Sequence, residues 1–130
     1  MCMMRGTGFV ELYYSPSMFD DQKWEINARI LQWAEANFHI LRHSEYFGGV
    51  PKDGACYGYA AFEDGKGYVI VRNPSAKVQK FTIPLGKYSL CGNHKLKTIY
   101  PVDGPAFSTG EVAELDLSPR EIRLFEVSAQ

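Results

Sequence analysis

Tyrosines are the side chains here whose type and spacing most readily suggest chemistry. Tyr57 and Tyr59 lie two apart and therefore share one face of any extended strand. With Tyr68 and Tyr100 they could form an exposed aromatic platform of the kind that stacks on sugar rings, although packing into a core is the more frequent use of such residues. Gly58 between them would also suit close approach of a preceding helix. His39 and His43 are four apart, the spacing at which two imidazoles can share a metal on one helical face. No HExxH surrounds them, and near a helix C-terminus an imidazolium is favoured by the dipole, so they read as solvated helix residues and no metal site is expected. Cys2, Cys56 and Cys91 are odd in number and lack CxxC spacing, which suggests neither a disulfide framework nor zinc. A Cys56–His39 nucleophile pair would need flanking residues resembling a nucleophile elbow, and none are present.

The elements that must position these groups follow from periodicity. Phe9-Val10-Glu11-Leu12-Tyr13-Tyr14 is rich in β-branched and aromatic residues and stops at Ser15-Pro16, which predicts a strand over 8–14. Over 20–42 the period becomes helical. Glu25, Arg29, Gln32, His39 and His43 form one narrow polar stripe, while Ile26, Ile30, Leu31, Trp33, Ala34, Phe38 and Leu41 cover about half the circumference. An arc that wide predicts contacts on two sides of the helix. Ser17 or Asp20 can cap it, and Glu25 with Arg29 forms an i,i+4 ion pair.

Residues 44–55, with Gly48-Gly49-Val50-Pro51-Lys52-Asp53-Gly54, lose both periods and predict a connector between a body at 1–43 and a domain at 56–130. Beyond it strand signals recur at Cys56–Glu63, Gly67–Arg72, Val78–Ile83, Tyr88–Cys91, Lys95–Tyr100, Ala113–Leu117 and Glu121–Val127. About seven such strands predict a mainly β fold, an antiparallel β-sandwich. Asp64-Gly65 should close a tight hairpin, and Asn73-Pro74-Ser75 should turn the chain out of its strand.

Composition narrows the function classes. The 14 basic residues are offset by 15 acidic ones, and no run of five like charges occurs, so the electrostatic footprint of a nucleic-acid or anionic-membrane partner is missing. No apolar stretch approaches the ~18–20 residues that span a bilayer, and Met1–Arg5 carries no signal-peptide core, which predicts a soluble chain. With 45% hydrophobic residues the chain can bury a core of its own.

The order strand, long helix, Gly-Gly-x-Pro-x-x-Gly connector, then β-sandwich resembles the end of an α-galactosidase-like (melibiase-type) glycoside hydrolase, in which a (β/α)8 barrel is followed by an all-β domain. Phe9–Pro16 resembles the last barrel strand and Trp24–Leu41 the last barrel helix. Tyr57-Gly58-Tyr59 and Val71-Arg72-Asn73-Pro74-Ser75 open the sandwich, and Ile122–Val127 is similar to its final strand. The resemblance covers nearly the whole chain. It implies that the catalytic carboxylates lie on barrel strands not found here, so no catalytic residue and no cofactor are expected. The implied role is a non-catalytic accessory domain that braces the barrel. The alternative is an independent carbohydrate-binding module presenting an aromatic platform.

The resemblance also implies that Glu11, Tyr13, Tyr14 and Ser15 sit at the active-site end of the barrel and could line a glycan subsite. The expected partners are the catalytic barrel of a parent enzyme, or another copy of this chain through an unpaired strand Phe9–Tyr14, together with a glycan; the alternative for that strand is to fold back onto the edge of its own sandwich. The compartment stays open, with a periplasmic or secreted parent compatible with this reading.

Overall fold

A computed structural model describes residues 1–130 apart from 10, 89–91 and 103. The chain is mainly β and antiparallel with one long helix. β1 (Glu45–Gly48), β2 (Tyr57–Glu63), β3 (Lys66–Arg72), β4 (Gln79–Pro84), β5 (His94–Tyr100), β6 (Ala106–Thr109), β7 (Val112–Leu117) and β8 (Ile122–Ala129) follow α1 (Asp21–Ala36) and the single turn α2 (Phe38–Leu41). One sheet runs β1-β2-β3-β8-β5-β6 and the second is the pair β4-β7.

The strict alternation in β7 has its predicted consequence. Ala113, Leu115 and Leu117 are buried while Glu114 and Asp116 face water. The three inward residues join Val69, Val71, Ile83, Leu96, Phe125 and Val127 in the core between the two sheets. Asp64 (φ 51°) and Gly65 (φ 77°) close the β2–β3 hairpin, the two positive φ values that a two-residue turn needs to match strand twist.

The six-stranded sheet also has an outer face, and the N-terminal segment covers part of it. Met4, from a 3-10 turn at Cys2–Arg5, packs with Ile40 and Leu41 on Ala61, Tyr68 and Ile70. That is why β3 is buried on both faces from Gly67 to Val71. Asp20 caps α1 by accepting from the Lys23 backbone N–H at 2.9 Å. Trp33 meets the Tyr68 ring edge-on at 5.0 Å, so the docking side of the helix is the Trp33 side.

Four expectations need correction. The strand predicted over 8–14 does not form among its described residues: Glu11–Ser15 carry no strand pairing, and Tyr14 packs instead on Phe19 and Trp24, at 4.7 and 5.3 Å between ring centroids. A strand needs an edge to pair with, and this stretch finds aromatic neighbours just before α1 and in its first turn. The helix predicted over 20–42 breaks at Asn37, whose Nδ2 donates to the Trp33 carbonyl at 2.7 Å while its Oδ1 accepts from the Tyr68 hydroxyl at 2.7 Å. Inside the predicted connector 44–55 lies β1, an edge strand of the main sheet. Finally, the strand predicted at Tyr88–Cys91 falls mostly outside the described residues, and Tyr88 itself ends a 3-10 turn, Leu85–Tyr88. β6 was not foreseen, because Ala106-Phe107-Ser108-Thr109 follows Gly104-Pro105 and holds a single large apolar residue.

Tyr88 has a measurable consequence. Its ring stacks on Phe62 at 5.2 Å and its hydroxyl is buried without a hydrogen-bond partner, so burial, reinforced by Glu45, pushes the phenol up to about 12. The folded state thus holds this proton more tightly than the unfolded chain. Its contribution is complete below pH ~10 and is lost as pH rises from ~10 to ~12. The urea midpoint of the wild type should fall across that window, and Tyr88→Phe should flatten the decline.

Candidate functional site

The outer face of the main sheet, beyond the part covered by the N-terminal segment, carries a cluster of tyrosines. In the register of β1 with β2, Tyr46 is opposite Tyr59, and Tyr57 is opposite Gly48. Gly48 has no side chain, so the flank of Tyr57 is open, and the Tyr46 ring stacks on it at 6.0 Å with planes 23° apart. Tyr46 also meets Tyr59 edge-on at 5.5 Å. The Tyr46 hydroxyl donates to the Gly49 carbonyl, which fixes the ring's orientation. Burial, then the neighbouring Tyr59 and Tyr57 phenols, push its phenol above the ordinary value.

Tyr46 is 43% exposed and Tyr57 and Tyr59 are half-buried, so Tyr46 gathers with two of the four expected platform rings, whereas Tyr68 is buried against Trp33 and Tyr100 lies at the end of β5 without a ring contact to them among the described residues. Across the β2–β3 pair Tyr57 faces Arg72, which puts a guanidinium on the same face. Gly58 is not an approach point for the helix. A Cβ there would lie 2.4 Å from the Ile70 carbonyl oxygen and 2.7 Å from Phe47 Cζ, so the glycine makes room for the Phe47 ring and the neighbouring strand.

Glu11, Tyr13, Tyr14 and Ser15 do not converge. The Tyr13 hydroxyl donates to Glu11 Oε2 at 2.7 Å in an exposed pair, and this bond, with a smaller part from burial, raises the Tyr13 phenol. The Tyr14 hydroxyl instead donates to Asn27 Oδ1 at 2.6 Å, and Ser15 precedes the 3-10 turn Pro16–Met18 without a side-chain capping bond. His39 and His43 gather at Glu63, 3.9 and 3.5 Å from its carboxylate, which also pairs with Arg42 at 3.2 Å. Among the described residues no group of three or more His, Cys, Asp or Glu is arranged to hold a metal ion. Cys56 lies in the core between the sheets, where burial raises its thiol and its Sγ faces Gln79 Oε1 at 3.5 Å, while His39 is exposed. That separation removes the nucleophile-pair reading. Among the described residues no helix is long and apolar enough to cross a membrane.

A second surface stands out on α1, which fully buries none of its residues. Ile26 (48% exposed), Ile30 (46%), Leu31 (39%) and Trp24 (41%, its ring against Tyr14 and Phe19) leave large apolar side chains part-exposed on α1, and Phe38 of α2 (40%) adds another.

No protein-family model matches the chain, and no curated protein does. Solved structures do. A Bacillus halodurans protein assigned as an α-N-acetylgalactosaminidase matches with a TM-score of 0.54 at 15% identity, over 72% of this chain and 22% of its own. A GH27 β-L-arabinopyranosidase variant from Geobacillus stearothermophilus, solved in complex with arabinose, matches with a TM-score of 0.54 at 12% identity over the same shares. A variant of MutB, the trehalulose synthase of Pseudomonas mesoacidophila, from crystals soaked with trehalulose, matches with a TM-score of 0.53 at 22% identity, over 80% of this chain and 18% of its own. The chain therefore has a fold found within glycoside hydrolase structures, and it spans about a fifth of the length of those it matches.

Proposed function

We propose that this chain is the non-catalytic C-terminal portion of a glycoside hydrolase, a β-sandwich whose leading helix braces a catalytic barrel. The observation that carries this reading is the apolar arc of α1. The sheet takes up the Trp33 side and Tyr14 with Phe19 covers part of Trp24, leaving Ile26, Ile30 and Leu31 about half exposed. A helix apolar on two sides is at home between two bodies. The fold neighbours supply the class of the second body, since each is a longer enzyme chain of which the matched stretch is a small part. The isolated chain should then show no turnover of aryl galactosides or glucosides. Turnover that survives repurification and disappears on Glu11→Gln would overturn the proposal in favour of a small enzyme.

A second reading, carbohydrate binding, is favoured by the Tyr46–Tyr57–Tyr59 cluster and is compatible with the first. Rings held edge-on and stacked on a sheet face offer flat surfaces to sugar C–H groups.

A further inference from the structure

Arg72 is the residue on the tyrosine face that the carbohydrate-binding reading leaves unused. It stands directly across from Tyr57, half-buried, and shares the outer face with Tyr46, Tyr57 and Tyr59. Its Nε is buried without a hydrogen-bond acceptor, and no carboxylate lies within ion-pairing distance of it among the described residues. The other half-buried arginine, Arg123, has the usual arrangement, with Nε held by Glu121 at 2.6 Å. In Arg72 Nε alone is out of water, while Nη1 and Nη2 are not among the buried unpartnered atoms and can present a planar fork to a carboxylate through two parallel hydrogen bonds.

Resting on the carbohydrate-binding reading above, we propose that this face takes an acidic saccharide, a glycan containing uronic acid units, with Arg72 as the partner of the sugar carboxylate. One uronate residue presents all that the face can use: a C–H surface for the fixed Tyr46 ring, hydroxyls for phenols, and an anion for the cation. Among the described residues the hydroxyls of Tyr57 and Tyr59 make no hydrogen bond. Charge complementarity separates this occupant from a neutral sugar, for which Arg72 would be superfluous, and the unspent phenols separate it from a purely apolar protein surface.

The test uses tri-galacturonate and its fully methyl-esterified form, which share a ring skeleton and differ in charge. Calorimetric titration of the whole chain should show tri-galacturonate bound at least ~10-fold more tightly than the ester, the size of one charge-assisted contact. Arg72→Gln should bring the two affinities together, Arg72→Lys should restore part of the difference, and Tyr46→Ala should weaken both ligands. Thermal midpoints of the variants within a few degrees of wild type certify that they are folded. Equal affinity for acid and ester would overturn the uronate inference while leaving a carbohydrate site standing. Binding of neither at millimolar ligand would overturn both, and a preference that persists in Arg72→Gln would place the ligand elsewhere and overturn the inference.

Discussion

The Asn73→Leu variant is expected to lose about 3–5 kcal/mol of stability, the combined cost of the four hydrogen bonds its buried amide makes. Asn73 has no exposed surface. Its Nδ2 donates to the carbonyls of Lys77 (2.7 Å), Leu117 (3.0 Å) and Ser118 (2.9 Å), and its Oδ1 accepts from the Ser75 N–H at 2.9 Å. The amide has two hydrogens for three acceptors, so one is shared, and the Ser118 carbonyl also accepts from the Glu121 N–H at 3.2 Å. These bonds tie the end of β3 in the large sheet to the end of β7 in the small one and shape the exit at Pro74. Leucine matches the volume and supplies none of the bonds. Urea denaturation should show a lower midpoint with an unchanged slope, and a loss below ~1 kcal/mol would mean that the two sheets are held by core packing alone.

Gly58→Ala should be nearly as severe, about 3 kcal/mol, at the upper end of overpacking costs. The added methyl would sit 2.4 Å from the Ile70 carbonyl oxygen, an atom fixed in the β2–β3 ladder, and 2.7 Å from the Phe47 ring. β2 is paired on both edges and cannot move aside without breaking its register with β1 or β3. Gly110→Ala is the control, since a Cβ there meets nothing within 4 Å, and it should shift stability by no more than ~0.5 kcal/mol. Comparable midpoints for the two variants would show that the sheet can open around Gly58. The expected damage reaches the candidate site, because Tyr57 and Tyr59 flank this glycine.

Local pattern made much of the sandwich legible. Period-two alternation placed Ala113, Leu115 and Leu117 inward, Asp64-Gly65 announced its hairpin, and the two-residue spacing of Tyr57 and Tyr59 put them on one face. The third ring was hidden because Glu45-Tyr46-Phe47-Gly48 is only four residues long and runs into a second glycine, which reads as loop until a partner strand is known. Arg72 was hidden for a related reason, since its place beside Tyr57 depends on the register of two strands, and one residue of slip would turn it to the other face. At Phe9–Tyr14 strand propensity misled, because propensity supplies no partner, and Tyr14 found Phe19 and Trp24 instead. The excess apolar surface of α1, by contrast, could be counted directly from the sequence, and most of it stays exposed in the fold.

That arc is where the bracing proposal is most open to test. The measurement is amide hydrogen exchange across Trp24–Leu31, comparing the 130-residue chain with the product made when any coding sequence preceding Met1 is included. If α1 seats against a catalytic barrel, its amides should exchange at least ~100-fold more slowly in the longer protein, and Ile30→Asp should abolish that protection. Equal exchange in the two proteins, or an upstream sequence that encodes no barrel, would contradict the account.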